Sequence, residues 1–104
     1  MTWIKVCGAD DIVPEDLIRF DHNGMTYAIY RSPEDQYYAT DGLCTHEKVH
    51  LENGLVMGNI IECPKHNGRF NYKTGEAKGA PVCVNLKTYL TKLEAGVVYI
   101  DVTS

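Results

Sequence analysis

The sequence predicts an all-β fold. Three observations carry that expectation: short apolar-alternating segments separated by turn residues, three Asn-Gly dipeptides, and no 3.6-residue amphipathic run of ten or more residues. At 104 residues the chain has the size of one domain. Eight to ten short strands are expected, and they can be taken in order. TWIKVC (residues 2–7) reads as the first. The acidic connection ADDIVPEDL follows, and residues 14–17 at its end offer the best helical candidate, one turn at most. LIRFDHNGMTYAIYR reads as a hairpin, because two β-forming runs flank Asn23-Gly24, a strong two-residue turn signal. QYYAT, after the turn-rich SPED, is the next strand.

From Asp41 to about Pro81 the texture changes. Glycine recurs at positions 42, 54, 58, 68, 75 and 79, and only NIIEC and RFNY look like strands. Beyond Pro81, VCVNLKTYLTKL resumes the strand pattern, with Leu86 and Leu90 on one parity and Tyr89 and Leu93 on the other. VVYIDV closes the chain after a turn at Glu94-Ala95-Gly96. The expected architecture is a base of residues 1–40 and 82–104, with a loop-rich subdomain of about 41–81 inserted between its strands.

Composition narrows the function. A hydrophobic fraction of 44% and a charged fraction of 23% exclude disorder, collagen and coiled coil. No apolar run approaches the roughly 20 residues of a membrane span. The start, MTWIKVCGADD, lacks a basic segment followed by an apolar one, so a cytoplasmic location is expected. A net charge of −4 argues against nucleic acid as partner. What stands out is four Cys and four His in so short a chain.

Four cysteines allow three disulfide pairings, but the spacing divides them differently. Cys7 and Cys83 lie among β-branched residues and read as small core hydrophobes. Cys44-Thr45-His46 and Cys63-Pro64-Lys65-His66 each put a cysteine and a histidine on one tight turn, with 16 residues between His46 and Cys63. These four are the candidate metal ligands. Zinc accepts a Cys2His2 set, yet its fingers usually pair Cys with Cys and His with His. A binuclear [2Fe–2S] centre with two cysteines on one iron and two histidines on the other suits mixed turns better.

The pattern CTH…CPKH, followed by Gly68, Phe70 and Thr74-Gly75, resembles the signature of Rieske iron–sulfur proteins. Over the whole chain the resemblance is to the stand-alone Rieske ferredoxins of bacterial multicomponent ring-hydroxylating oxygenases. It implies an antiparallel β-sandwich or barrel base, with one [2Fe–2S] cluster held in the inserted subdomain. Cys44 and Cys63 would bind the inner iron, and His46 and His66 the outer, solvent-facing one. The implied function is one-electron transfer from a flavin-containing reductase to a terminal oxygenase, as a monomer without catalytic residues of its own. A Rieske small subunit of another redox enzyme, such as nitrite reductase, and a zinc-stabilised binding module are the alternatives.

Departures from the family pattern carry information. Val49 and Lys65 stand where high-potential members have a bridging disulfide, and Gly68 and Phe70 replace a Ser and a Tyr that donate to the cluster. Fewer donors imply a potential near the low end of the Rieske range, about −150 mV. Asn67, Arg69 and Asn85 also differ from the common family residues, while Pro81 would shield one side of the cluster. Residues 44–79 sum to +1 and the remainder to −5, so docking through Lys65 and Arg69 on an acidic or neutral patch is expected. Elsewhere the plain readings suffice. His50 reads as a solvated loop residue, His22 as surface and the acidic pairs as solvated turns. Trp3 and most tyrosines sit in strands, and Tyr72 lies beside the second turn.

Overall fold

The structure is a computed structural model that describes residues 1–65, 67–79 and 84–104. Among these, ten strands form: β1 (Trp3–Gly8), β2 (Asp16–His22), β3 (Met25–Arg31), β4 (Tyr37–Asp41), β5 (Leu55–Met57), β6 (Ile60–Glu62), β7 (Arg69–Asn71), β8 (Thr88–Tyr89), β9 (Thr91–Glu94) and β10 (Val97–Asp101). Two three-residue 3-10 turns, Ala9–Asp11 and Leu51–Asn53, complete the elements. The strands make three antiparallel sheets, ordered β1-β10-β9, β2-β3-β4-β8 and β5-β6-β7. All-β was the expectation, and it holds.

Local chemistry sets the hairpins. Asn23 and Gly24 both take positive φ, 50° and 77°, the combination that suits the right-handed twist of β2 and β3. Ala95 and Gly96 repeat it, at 51° and 77°, between β9 and β10. The helical turn expected at residues 14–17 does not form. The Glu15 N–H donates to the Arg31 carbonyl at 2.9 Å, which starts the β2–β3 ladder early and puts Leu17 opposite Tyr30. β5 was not foreseen. Of the strand expected across residues 82–93, residues 84–87 are not strand and β8 starts at Thr88; Val84, Leu90 and Leu93 are exposed, whereas Leu86 and Tyr89 are buried. Cys83, read as core, lies outside the described residues.

The middle sheet is covered on both faces. Four consecutive β3 residues, Tyr27 to Tyr30, are buried, which an alternating strand allows only with a core on each side. Tyr27 and Ile29 join one core with Ile12, Ala39, Val98 and Ile100, and Cys7 packs against it as read. Ala28 and Tyr30 join the other, with Leu17, Leu51, Ile61, Phe70, Tyr72 and both Cys44 and Cys63. The Tyr30 and Tyr72 rings stack there at 4.5 Å, and burial pushes the Tyr72 hydroxyl up to about 12. Gly75 welds the edge of this second core. Its φ of +83° and the Leu86 carbonyl against its α-carbon leave no room for a side chain. No helix among the described residues is long and apolar enough to cross a membrane.

At the chain's end, the buried Asp101 carboxylate accepts from the Thr103 hydroxyl at 2.7 Å, the Thr103 N–H at 3.0 Å and the Thr2 N–H at 3.1 Å. These donors favour the charged form and hold its pKa below the ordinary carboxylate value. Stability from a depressed carboxylate is fully present above its unfolded value, about 3.9, and disappears as pH falls through the folded one. Asp101→Asn should therefore lower the melting temperature at neutral pH, and the gap to wild type should narrow below about pH 3.9. Calorimetry across pH 2–7 checks this, and a gap that stays constant to the lowest pH contradicts it.

Candidate metal centre

The first cysteine turn hangs from the end of β4. The Gly42 N–H donates to the Thr26 carbonyl at 2.8 Å, and Leu51 N–H returns to the Gly42 carbonyl at 2.9 Å. Leu43 and His50 bridge across the turn, and the Cys44 N–H to Val49 carbonyl bond, 2.9 Å, closes it. The second turn extends the β6–β7 ladder by one step: the Cys63 N–H donates to the Gly68 carbonyl at 2.6 Å, beyond the Glu62–Arg69 pair. Asn67, at φ 57°, makes the left-handed step that brings the chain round. Both cysteines thus occupy the first position past a paired segment, where a side chain is fixed by backbone on one side only.

Cys44 and Cys63 are both buried in the second core, with free thiols within hydrogen-bond reach of each other. Burial, with the neighbouring Cys44, pushes the Cys63 thiol up to about 11, against a Lys65 backbone N–H that favours the thiolate. His46 is exposed two residues beyond Cys44. His66 lies outside the described residues, as does Pro81, and among the described residues no set of three ligands assembles. The donor set nevertheless fits a thiolate-bound centre: two facing sulfurs, apolar walls of Leu51, Ile61 and Phe70, and a backbone donor aimed at one sulfur. Phe70, where the family pattern led us to look for a lost donor, is fully buried and supplies packing.

Several side chains take parts that sequence reading missed. The Thr45 hydroxyl donates to the Val84 carbonyl at 2.7 Å and ties the first turn to the segment before β8. Glu47 pairs with Lys65 at 2.8 Å, across the two turns. Arg69 pairs with Glu62 at 3.1 Å and Lys78 with Glu76 at 3.2 Å. The two bases expected to be docking charges therefore already face acids of the same end, although an exposed pair of this kind holds only about 0–1 kcal/mol and can be exchanged. The only hint in the sequence was opposite charges beside the two Cys/His motifs. His50 is not simply solvated. Its backbone completes the first turn, and its ring nitrogen Nδ1 is buried with no hydrogen-bond partner among the described residues. His22, half-buried, stacks on Phe20. A cavity of about 410 Å³ is lined by Tyr37, Tyr38, Tyr72, Lys73 and Tyr89 and lies away from Cys44, His46 and Cys63.

Comparison with known proteins fixes the class. The family model of the Rieske [2Fe-2S] domain matches residues 2–90, and the chain belongs to that family. Among its relatives, the ferredoxin component of the naphthalene 1,2-dioxygenase system of Pseudomonas putida is 42% identical over 101 residues, covering 97% of this chain and 96% of that one. A chain of the complex of reduced oxygenase and oxidised ferredoxin in carbazole 1,9a-dioxygenase superposes with a TM-score of 0.90 at 38% identity, covering 94% of this chain and all of that one. A chain named for a nitrite reductase small subunit reaches 0.81 over 96% of this chain and 98% of its own length, but at 21% identity, so it shares the fold alone.

One close contact packs the chain before β5 against the end of β6, the strand that leads into the second turn. A Cβ on Gly54 would run into the Glu62 carbonyl, next to Cys63, and neither backbone can yield without moving a strand. Gly54→Ala should cost about 1–3 kcal/mol, the range for overpacking a tight site. Urea denaturation should show the midpoint falling with an unchanged slope; an unshifted midpoint would refute the contact.

Proposed function

We propose that this chain is a one-electron carrier, passing electrons from a flavin-containing ferredoxin reductase to a terminal aromatic-ring-hydroxylating oxygenase through a single Rieske-type cluster. It converts no substrate itself. One observation carries the reading: the buried sulfurs of Cys44 and Cys63 meet at the ends of two turns, each carrying a histidine two or three residues on. Family membership and the ferredoxin names of its relatives support it. When bound, the [2Fe–2S] group supplies a centre that takes up and gives back one electron.

The residues that would hold it are Cys44 and Cys63 on the inner iron and His46 and His66 on the outer. The chain's own atoms do the rest. Two thiolates bring two negative charges where an all-cysteine set would bring four, which favours electron uptake. The Lys65 N–H donates toward the Cys63 sulfur, and the apolar core on the inner side excludes water. Exposed His46 offers a short path to a partner. The base of residues 1–40 and 82–104 serves as a scaffold for the cluster-binding residues 41–81 within one domain. The three described cysteines are free, which suits a reducing cytoplasm. A monomer with a small footprint suits a carrier that must exchange partners.

Anaerobically purified protein should be coloured, hold about two irons per chain and give a Rieske-type EPR signal on reduction, with a potential near −150 mV. Cys44→Ser and Cys63→Ser should abolish the colour. Colourless protein with one zinc would overturn the cluster reading. Stopped-flow mixing with a dioxygenase-system reductase and then its oxygenase should show reduction followed by reoxidation; a loaded protein inert toward both would place it in another redox enzyme.

A further inference from the structure

The backbone bonds of the two cysteine turns are internal. Cys44 closes onto Val49, Val49 N–H onto the Glu47 carbonyl at 2.7 Å, and Cys63 onto Gly68. Among the described residues no backbone bond runs from one turn to the other. Two side-chain contacts do cross: the two facing sulfurs, and the Glu47 carboxylate on the Lys65 ammonium at 2.8 Å. Each partner of that ion pair sits in a chosen place. Glu47 directly follows His46, and Lys65 stands directly between Pro64 and His66. The Cys63 sulfur lies in the field of both: it accepts the Lys65 backbone N–H and feels the Glu47 carboxylate.

We propose that Glu47 and Lys65 form a non-covalent clasp that holds the two ligand turns together and keeps the charge beside the Cys63 sulfur balanced. The clasp rests on the cluster-carrier reading above. Its two consequences are separable. As a clasp, the pair slows the opening of the turns, and salt weakens it because both side chains are half-exposed. As a charge balance, it biases the potential, because removing one charge or the other acts on the same sulfur with opposite sign.

The test uses the loaded protein. Bleaching of its visible absorption by excess EDTA should accelerate about two- to fivefold when Lys65→Gln or Glu47→Gln is introduced at low salt, the span of an exposed ion pair. Wild type should lose the same factor on going to high salt, while the single variants should hardly respond. The swapped protein, Glu47→Lys with Lys65→Glu, should bleach like wild type. Reduction potentials at low salt should move in opposite directions: down in Lys65→Gln, which removes a positive charge near the sulfur, and up in Glu47→Gln, which removes a negative one. A loosening of structure alone would shift both the same way. Equal bleaching of singles and wild type, a swap no better than the singles, or potentials that move together would each overturn the clasp. Wild-type protein that never loads a cluster would instead overturn the carrier reading.

Discussion

The register of the β2–β3 hairpin governs the rest of the molecule. Tyr27, Ala28, Ile29 and Tyr30 alternate between two cores, so a slip of one residue would send two rings to the wrong layers and move every neighbour with them. The Asn23-Gly24 turn prevents the slip by accepting only the geometry that pairs Leu17 with Tyr30 and Ile18 with Ile29. Both candidate cysteines belong to the core on the Ala28 and Tyr30 side. The position of the site is therefore inherited from a turn remote from it in sequence, through a sheet with no solvent face along β3.

Burial explains why those cysteines are informative. A buried thiol is ordinarily an inert small hydrophobe, and Cys7 behaves as one, with burial raising its pKa. Cys44 and Cys63 differ in facing each other with a backbone donor nearby. Desolvation, helped by the neighbouring Cys44, outweighs that donor and keeps Cys63 protonated, up to about 11. A bound cation reverses that balance, since its charge stabilises the thiolate where water is absent. The apolar wall that makes the empty thiolate costly also makes the bound one hard to displace.

The sequence made the strands and the candidate ligands legible because each leaves a local mark. Alternation marked β1, β2, β3 and β10, while unusual residue types at tight spacing marked the two turns. What it hid was anything set by packing alone. β5 has only Val56 buried, between exposed Leu55 and Met57, and three residues are too few to show a period. His50 looked like a spare loop residue because its role lies in its backbone, which no side-chain pattern reports. Residues 84–87 looked like strand from their β-branched and apolar content, yet the Val84 carbonyl meets the Thr45 hydroxyl and the Leu86 N–H meets Gly75, and the bond to β4 starts with the Lys87 carbonyl, which accepts from the Asp41 N–H. The Glu47–Lys65 and Glu62–Arg69 pairs needed three-dimensional proximity to be told from free charges.

That each cysteine turn closes on its own backbone has a thermodynamic meaning. A turn that keeps its shape without its partner loses little conformational entropy when a ligand joins the two, so binding energy is not spent on ordering the chain. The same economy limits motion at the inner donors, because Cys44 and Cys63 are themselves buried and their N–H groups are hydrogen-bonded within their own turns. Exposure then increases in one direction only, from the two sulfurs in the core to His46 at the surface. A scaffold with rigid inner donors and an exposed outer edge separates two demands that otherwise conflict: the inner face fixes the site, and the outer face stays open to whatever docks there.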